Sequence, residues 1–424
     1  MIVLIVIVIA GFFIVYNTSI FALGLSGYRR KAKKDPDKDH KNSEVLPFIS
    51  IILPVKNEEP VIKRSLQTLS RLVYPKEKYE VVVVEDGSTD KTSEICEEFA
   101  KTNPDIIKFI RKAESNGKPS ALNFALKYAK GSIIGVFDAD SLPIPDVLMR
   151  VAKHFNEGAT VVQGSTSAIN GNGSGFLTRL QAYERKAWYN VYMTGKDRLG
   201  LFVPLMGSCQ FISRSLLDDL NGWDAGALTE DAEISLRIID KRIPISYQPE
   251  VISKEEVPSS LKAFFKQRIR WFRGWIELII PTFSKASKGG FKMFDALITL
   301  MGPMILPCFI ILPILSIISS IFPQLVLFGF TGFMYQILFL FLIFTLSSTG
   351  IALSVKTKMK WYKAILWVPV IYGYFFLLNF IASIALFQTI TKSPKKWERT
   401  PKTGAITLEE GDVCAVAAVR GNRK

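Results

Sequence analysis

Long apolar runs flank the middle of the chain. The first covers residues 1–25 without a charged residue, and three more cover about residues 294–322, 325–355 and 364–390. At about 1.5 Å per residue, each run can cross a hydrocarbon core of about 30 Å, so we expect transmembrane helices. Buried core helices are the alternative for the later runs. A signal peptide is the alternative for the first, which lacks a basic start and a small-residue cleavage site.

Between these runs, short β-rich stretches alternate with helical patterns. The predicted strands cover residues 47–55, 81–84, 106–110 and 133–137, and the predicted helices cover 59–72, 93–101 and 119–128. This alternation predicts an α/β fold with a mostly parallel sheet that carries helices on both faces. In such sheets, ligands bind beyond the carboxyl ends of the strands.

Basic residues set the expected orientation in the membrane. Clusters lie at residues 29–41, 356–363 and 392–396, next to the apolar runs. Because such clusters favour the cytoplasmic side, we expect a multi-pass plasma-membrane protein whose residues 45–260 are cytoplasmic. Three spanning C-terminal runs would place the tail outside, against its charge. Either one run is therefore re-entrant or interfacial, or fewer runs span.

Composition excludes several classes of protein. Hydrophobic residues make up 49% of the 424 residues and charged residues 21%, which excludes a disordered chain. The four cysteines form no CxxC pair and the only histidines are His40 and His154, so a disulfide scaffold or a Cys/His zinc site is not expected. A formal charge of +15 in so apolar a chain indicates a membrane-facing surface or an anionic substrate rather than nucleic acid.

Acidic residues recur where predicted strands end. Glu58 follows the first strand, Asp86 the second, and Asp138 and Asp140 a later one. Two aspartates one residue apart can present both carboxylates to one cation, and Mg²⁺ or Mn²⁺ often shares such ligands with substrate phosphates. A solvated acidic turn explains each motif taken alone. Their recurrence at one edge of the sheet indicates a ligand site.

A further acidic motif lies later in the chain. Thr229, Glu230 and Asp231 lead into a predicted helix, with Thr229 at the N-cap. These residues either only cap the helix, or Asp231 is a general base near a reacting centre. Lys118 precedes a predicted helix and could meet a phosphate, although a lone loop lysine is usually only solvated.

Basic and aromatic residues alternate within residues 261–280. At helical spacing Gln267, Arg270 and Trp271 share one face. An amphipathic helix on the membrane surface is the simpler interpretation. Alternatively, Arg270 with Gln267 would suit a diphosphate leaving group, and Trp271 would suit stacking on a sugar ring.

Five short motifs therefore follow one another, at residues 54–58, 86–88, 138–140, 229–231 and 267–271. In this order they resemble the membrane-integrated inverting glycosyltransferases of family 2, which include cellulose, chitin, hyaluronan and poly-N-acetylglucosamine synthases. The last motif is similar to the QxxRW signature of the processive branch. The resemblance covers about residues 50–275 and implies a GT-A fold and a nucleotide-sugar donor, usually UDP-linked.

The resemblance also implies how the donor is bound. Glu58 and Asp86 would hold uridine, and Lys118 would assist. Asp138 and Asp140 look like the pair that holds the diphosphate and a Mg²⁺ or Mn²⁺ ion. Of these two, Asp140 would be the more direct metal ligand.

On the acceptor side, the resemblance makes Asp231 the base that deprotonates the acceptor hydroxyl, with Glu230 beside it in contact with substrate. The outcome would be single displacement with inversion at the anomeric carbon. The diphosphate and the terminal acceptor sugar would be bracketed by Gln267, Arg270 and Trp271.

The C-terminal tail carries one more similarity. Trp397, Thr400 and Lys402 resemble the (W/F)xxTxK/R gating loop, which closes over the nucleotide with its threonine and lysine near the phosphates. This assignment requires a cytoplasmic tail, as the charge does. A basic juxtamembrane tail is the alternative.

We therefore expect a metal-dependent synthase that adds sugar from UDP-glucose or UDP-N-acetylglucosamine to a growing β-linked polysaccharide and exports the product. A single transfer to a membrane lipid is the alternative, since lipid glycosyltransferases can share this motif order. A catalytically inactive scaffold or sugar-nucleotide sensor is a third reading. About four candidate helices are few for a channel, so export would call for a homo-oligomer or an accessory subunit.

The expected organisation has six parts along the chain. They are a transmembrane helix at 1–25, a basic linker at 26–46, a GT-A domain at 47–260, interfacial helices with QxxRW at 261–292, transmembrane helices at 293–390 and a cytoplasmic tail at 391–424.

Overall fold

The structure is a computed structural model. It describes residues 2–25, 46–171, 175–286, 289–305, 318, 321–322, 361–395 and 399–404. The chain divides into two compact units. The sheet unit comprises residues 30–185, 202–264 and 396–424, and the helical unit comprises residues 1–29, 186–201 and 265–395.

The described helices and strands are listed here in chain order. The strands are β1 (Ile49–Val55), β2 (Tyr79–Glu85), β3 (Ile107–Arg111), β4 (Ile133–Val136), β5 (Leu142–Pro143), β6 (Val161–Ala168), β7 (Gln210–Ser213) and β8 (Ser246–Glu255). The helices are α1 (Ile2–Leu25), α2 (Ile62–Ser70), α3 (Thr92–Thr102), α4 (Lys118–Leu126), α5 (Val147–Asn156), α6 (Phe176–Ala187), α7 (Thr194–Leu199), α8 (Arg214–Asp219), α9 (Glu230–Asp240), α10 (Leu261–Glu277), α11 (Ile279–Ala286), α12 (Gly290–Leu300), α13 (Gly302–Ile305) and α14 (Trp361–Ile390). A 3₁₀ turn covers Lys76–Lys78, and a π-helical turn covers Trp188–Met193.

One eight-stranded sheet forms the centre of the sheet unit, in the order β3-β2-β1-β4-β7-β6-β8-β5. Its first half is parallel, because β1 pairs with β2 and β4, and β2 pairs with β3. Strand β7 runs antiparallel to both β4 and β6, and β8 runs parallel to β6 and antiparallel to β5. The α/β class and the parallel half are confirmed, while the antiparallel strands were not predicted.

Strands β1 and β2 are apolar almost throughout because the sheet is covered on both faces, as is usual for parallel strands. On one face, Ile51 and Val81 join a buried cluster that includes Leu66 of α2. On the other face, Ile52 and Val82 are fully buried, and α4 contacts both strands.

The register brings the ends of the parallel strands to one edge. Val55 pairs with Glu85, and Ile52 pairs with Val136. The residues that follow these strands therefore leave the sheet side by side, as the sequence pattern predicted.

In the helical unit, α1 packs closely against the π-helical turn and α7. Two glycines allow this approach: a Cβ at Gly24 would overlap the carbonyl of Val191, and one at Gly195 would overlap the carbonyl of Ile20. The fully buried Lys196 donates hydrogen bonds from Nζ to both carboxylate oxygens of Asp295, each at 3.0 Å.

The membrane predictions are covered only in part by the described residues. Among these, one helical segment, Gly373–Ile390 of α14, is long and apolar enough by length and composition to cross a bilayer, and Val15–Leu25 of α1 forms a shorter apolar stretch. The predicted run at 325–355 lies outside the described residues, as do residues 306–317, 319 and 320 of the run at 294–322.

Candidate active site

Asp86 lies directly after β2 and is 3% exposed. Its Oδ2 accepts hydrogen bonds from Ser115 Oγ at 3.0 Å and from the backbone N–H of Gly117 at 3.1 Å. Its Oδ1 accepts no hydrogen bond from the described residues and lies 3.6 Å from Lys112 Nζ. A buried carboxylate oxygen without a donor is available to a ligand.

Lys118, Asp138, Glu230 and Asp231 form what we call the lysine cluster. Lys118 Nζ donates to Asp138 Oδ1 at 2.6 Å and to the carbonyl of Gly207 at 2.9 Å, and it lies 3.3 Å from Glu230 Oε1. Burial alone would lower the pKa of Lys118, but the charges of Asp138, Glu230 and Asp231 raise that pKa above its usual value. Lys118 is therefore a fixed cation among carboxylates at the carboxyl ends of the strands.

Asp231 lies in the first turn of α9, where Thr229 holds the N-cap position without a side-chain capping bond. Its Oδ1 accepts the backbone N–H of Ala232 at 2.8 Å. Gly207 faces the carboxylate: a Cβ at this position, whose φ is +77°, would lie 3.0 Å from Asp231 Oδ2. The missing side chain keeps the space beside this carboxylate open.

Asp140, Glu256, Lys402 and Thr403 form what we call the tail site. Lys402 Nζ donates to Asp140 Oδ2 at 2.7 Å and to the carbonyl of Glu256 at 2.7 Å. Burial would raise the pKa of Asp140, but the Lys402 charge and hydrogen bonds hold that pKa below its usual value. The same contacts with Asp140 raise the pKa of Lys402 against the opposing effect of burial.

Glu58 lies beside the tail site. Burial, followed by the charge of Asp140, raises its pKa to about 8, against the opposing charges of Lys402 and Arg399. Arg399 Nη1 lies 3.4 Å from Glu58 Oε2. At neutral pH this carboxyl is therefore mostly protonated and can donate as well as accept a hydrogen bond.

Asp138 and Asp140, the predicted metal pair, directly follow β4 at the edge of the sheet where β1 and β2 also end. Within the described part of the chain, no three or more His, Cys, Asp or Glu side chains are grouped to hold a metal ion. A Mg²⁺ site commonly uses only one or two carboxylates plus substrate phosphates. The donor set of Asp138 and Asp140, one half-exposed and one buried, fits that chemistry.

Not every predicted residue lies in the sheet unit. Gln267, Arg270 and Trp271 lie on α10 in the helical unit, where the Arg268 guanidinium lies 4.7 Å from the centre of the Trp271 ring. Their roles remain predictions. Trp397 lies outside the described residues.

Sequence reasoning missed residues that organise the site. Glu256 binds the tail, and Gln163 holds the loop that carries Gly207: Gln163 Oε1 accepts the N–H of Met206 at 2.9 Å, and its Nε2 donates to the carbonyl of Ser208 at 3.1 Å. A pair of acidic residues at the end of the long strand β8 was a signal for Glu256. No local signal marks Gln163.

Comparison with known proteins shows which family the domain belongs to. Residues 50–220 match the model of the family described as Glycosyl transferase family 2. The chain carries a family 2 glycosyltransferase domain. The match includes Asp86, Asp138 and Asp140 and ends before Asp231.

Two relatives show how far the domain is shared. A β-monoglucosyldiacylglycerol synthase of Nostoc sp. is 33% identical over 304 residues, which are 68% of this chain and 64% of the relative. A poly-β-1,6-N-acetyl-D-glucosamine synthase of Staphylococcus epidermidis is 27% identical over 235 residues, 55% of this chain and 56% of the relative. The chain thus spans less than two thirds of either relative.

A solved structure supports the fold. A mannosyltransferase from Pyrobaculum calidifontis, in complex with GDP-Man and Mn²⁺, matches with a TM-score of 0.58 and 19% identity, over 92% of this chain and 99% of that one. The family 2 domain therefore has a GT-A-like fold with a mixed, largely parallel sheet.

Proposed function

We propose that the protein transfers one sugar from a UDP-sugar, UDP-glucose or UDP-N-acetylglucosamine, to a membrane-bound acceptor with inversion at the anomeric carbon. The observation that carries this proposal is the lysine cluster. Its carboxylates and one fixed cation meet beside the open backbone of Gly207, at the edge of the sheet where α/β folds bind ligands.

In this proposal Asp231 is the general base. An inverting transfer breaks the bond between the anomeric carbon and the diphosphate oxygen while the acceptor oxygen attacks the opposite face. Asp231 accepts the acceptor hydroxyl proton during that attack. Its place beside Gly207 leaves room for an acceptor hydroxyl.

The donor is held by the other acidic residues. Asp86 and Glu58 bind the nucleoside. Asp138 and Asp140 would hold a Mg²⁺ or Mn²⁺ ion, which when bound neutralises charge on the departing diphosphate. Lys118 keeps Asp138 and Glu230 in place. From the family resemblance, Gln267, Arg270 and Trp271 contact the diphosphate and the acceptor, and Thr400 and Lys402 belong to a segment that closes over the nucleotide.

The acceptor that we favour is a membrane lipid. The glucosyldiacylglycerol synthase shares more identity with this chain, over a longer alignment, than the poly-N-acetylglucosamine synthase does. Polymer synthesis with export is the second candidate, favoured by the QxxRW-like segment. It would call for a homo-oligomer or an accessory subunit.

The membrane itself is part of the proposal. Helix α14 turns large apolar side chains outward, among them Phe376, Phe380 and Phe387, each more than half exposed. A spanning helix with a lipid-facing surface accounts for this pattern. The basic clusters in the sequence favour the cytoplasmic side for the sheet unit.

The test uses the full chain purified in detergent and placed in lipid vesicles. It is supplied with UDP- and GDP-sugars, Mg²⁺ or Mn²⁺, and either diacylglycerol or an oligosaccharide, and UDP release and product mass are measured. One added sugar on lipid supports the favoured acceptor, and a ladder supports the polymer. Donor binding without any turnover would refute transfer and favour a sensor.

Asp231→Asn supplies the decisive variant. Because the amide cannot accept the proton, transfer should fall by about 10²–10⁴-fold while UDP binding stays near normal. The matched control is Asp219→Asn, which alters an exposed aspartate on α8. Turnover close to wild type in Asp231→Asn would remove the base assignment.

A further inference from the structure

The buried carboxylate of Asp140 is already neutralised by a cation from the chain itself. Asp140 is 2% exposed. Its Oδ2 accepts hydrogen bonds from Lys402 Nζ and from the backbone N–H of Glu256, each at 2.7 Å. A divalent ion bound to the same oxygen would be repelled by the ammonium group of Lys402, because two cations cannot share one buried carboxylate oxygen without strong repulsion.

Glu256 holds the segment that delivers this lysine. Its Oε1 accepts the backbone N–H of Thr403 at 2.6 Å and the Thr403 hydroxyl at 2.7 Å. Its Oε2 accepts the N–H of Gly404 at 3.1 Å and Arg64 Nη2 at 3.1 Å. The carboxylate is 4% exposed, so these bonds are made with little competition from water.

Gly404 is suited to this docking. Its φ is +62°, a conformation that favours glycine, and a Cβ there would overlap the carbonyl of Pro60. Arg399, three residues before Lys402, places its Nη1 3.4 Å from Glu58 Oε2. The segment 399–404 thus lies along two acidic residues of the donor site and is fixed by a third.

The geometry points to a cation exchange at Asp140. Lys402 binds the carboxylate in the metal-free protein, and a divalent ion must displace Lys402 in order to bind. Glu256 is the positioning residue that holds the lysine at Asp140. This inference rests on the proposed function, because it takes Asp140 as a metal-binding carboxylate. The exchange would keep a buried charge paired in both states. It would release Lys402 from Asp140, so that the segment 399–404 can then close over the bound nucleotide.

The experiment measures Mn²⁺ binding to the metal-stripped full chain in detergent, without nucleotide, from the electron paramagnetic resonance signal of free Mn²⁺. Lys402→Met should bind Mn²⁺ at least about fivefold more tightly than the wild type, as for a typical coupling between two ligands. Lys101→Met, which removes an exposed lysine on α3, should leave the affinity unchanged. Asp140→Asn should abolish binding.

Glu256→Gln separates displacement from simple charge attraction. It removes a negative charge near the ion, so attraction alone predicts weaker Mn²⁺ binding. Release of Lys402 from its dock predicts tighter binding instead. Weaker or unchanged binding in Glu256→Gln would overturn the docking role, and equal affinity of Lys402→Met and the wild type, or no binding to either, would overturn the exchange.

A second readout follows the segment directly. Trypsin cleavage after Lys402, mapped by mass spectrometry, should be slow without metal and faster with Mn²⁺, and cleavage that Mn²⁺ leaves unchanged would contradict displacement. UDP release is measured in parallel on the wild type. If the wild type releases no UDP, the proposed sugar transfer is refuted, but the order of the Mn²⁺ affinities still tests the exchange. Failure of the proposed function and failure of the exchange are therefore distinguishable.

Discussion

Gly207 shows how one missing side chain can shape a site. Its backbone has a φ of +77°, and a Cβ at this position would lie 3.0 Å from Asp231 Oδ2 and 3.4 Å from Lys118 Nζ. The carbonyl of the same residue accepts a hydrogen bond from Lys118. One glycine therefore supports the cation and leaves room at the proposed base.

Gly207→Ala should lower the rate of transfer by about 100-fold, because the new methyl group would lie 3.0 Å from Asp231 Oδ2 and the backbone conformation disfavours any side chain. The rate is measured as UDP release under saturating donor. Gly226→Ala, in an exposed loop, is the control, since the nearest atom to its new methyl group would be 3.4 Å away. Equal rates for the two variants would show that the space beside Asp231 is not used.

Glu58 gives a prediction about pH. Its pKa is about 8 in the folded protein and 4.5 in the unfolded reference, so between these values the folded protein holds a proton that the unfolded chain has lost. Stability from this group therefore falls as the pH rises from 4.5 towards 8. In Glu58→Gln the side chain stays neutral at every pH.

The melting temperature of Glu58→Gln minus that of the wild type should thus increase between pH 6 and pH 8. The increase should be about 2–4 °C for each kcal/mol of stability that the wild type loses. Thermal unfolding of the two proteins across this range is the measurement. Glu77→Gln, at an exposed position, should track the wild type. A constant difference between Glu58→Gln and the wild type would show that Glu58 does not take up a proton on folding.

At the scale of elements, the parallel half of the sheet could be predicted and the antiparallel half could not. Strands β1 and β2 are buried on both faces, so their sequences are continuous apolar runs that stand out. Strand β6 reads VVQGSTSA, with polar residues at buried positions, because Gln163 serves a loop rather than the core. Such a strand is stabilised by distant partners that its own sequence does not reveal.

For the same reason, some residues of the candidate site could be predicted from local sequence and others could not. Asp86, Asp138 and Asp140 follow apolar strands, and that pattern alone placed them at one edge. Glu256 lies 116 residues after Asp140, and Lys402 lies 262 residues after it. Contacts of that separation follow from the fold and have no local signature, although the resemblance of the tail to a gating loop did point to Lys402.

The contact between α7 and α12 supplies a prediction at this scale. Lys196 and Asp295 are both completely buried within the helical unit and pair at 3.0 Å. Lys196→Met should cost about 3–5 kcal/mol of stability because it removes the ammonium group that pairs with the buried carboxylate of Asp295. The double variant Lys196→Met/Asp295→Leu should recover much of that loss. Thermal unfolding measures both, with Lys285→Met at an exposed position as the control.

At the scale of the whole molecule, the contacts of the tail constrain the proposed membrane topology. The C-terminal segment 399–404 forms hydrogen bonds with Asp140 and Glu256 inside the sheet unit. A bilayer cannot separate groups that share a hydrogen bond. If the helical unit spans the membrane as proposed, residues 265–395 must therefore cross it an even number of times. We therefore predict that at most two of the three C-terminal runs cross, which agrees with the basic charge of the tail.

Cysteine labelling tests this conclusion. The test uses a membrane-impermeant maleimide on a background in which Cys308 is replaced by serine. Cys96 and Cys209 are buried and should not react. In this background Cys414 reports on the tail. Lys101→Cys with Cys414→Ser reports on the sheet unit, because residue 101 is exposed on α3. In sealed vesicles of one orientation, Lys101→Cys and Cys414 should be labelled together or protected together. Labelling of one with protection of the other would place the tail across the membrane from the sheet unit, and the contact between Lys402 and Asp140 could not then exist in the cell.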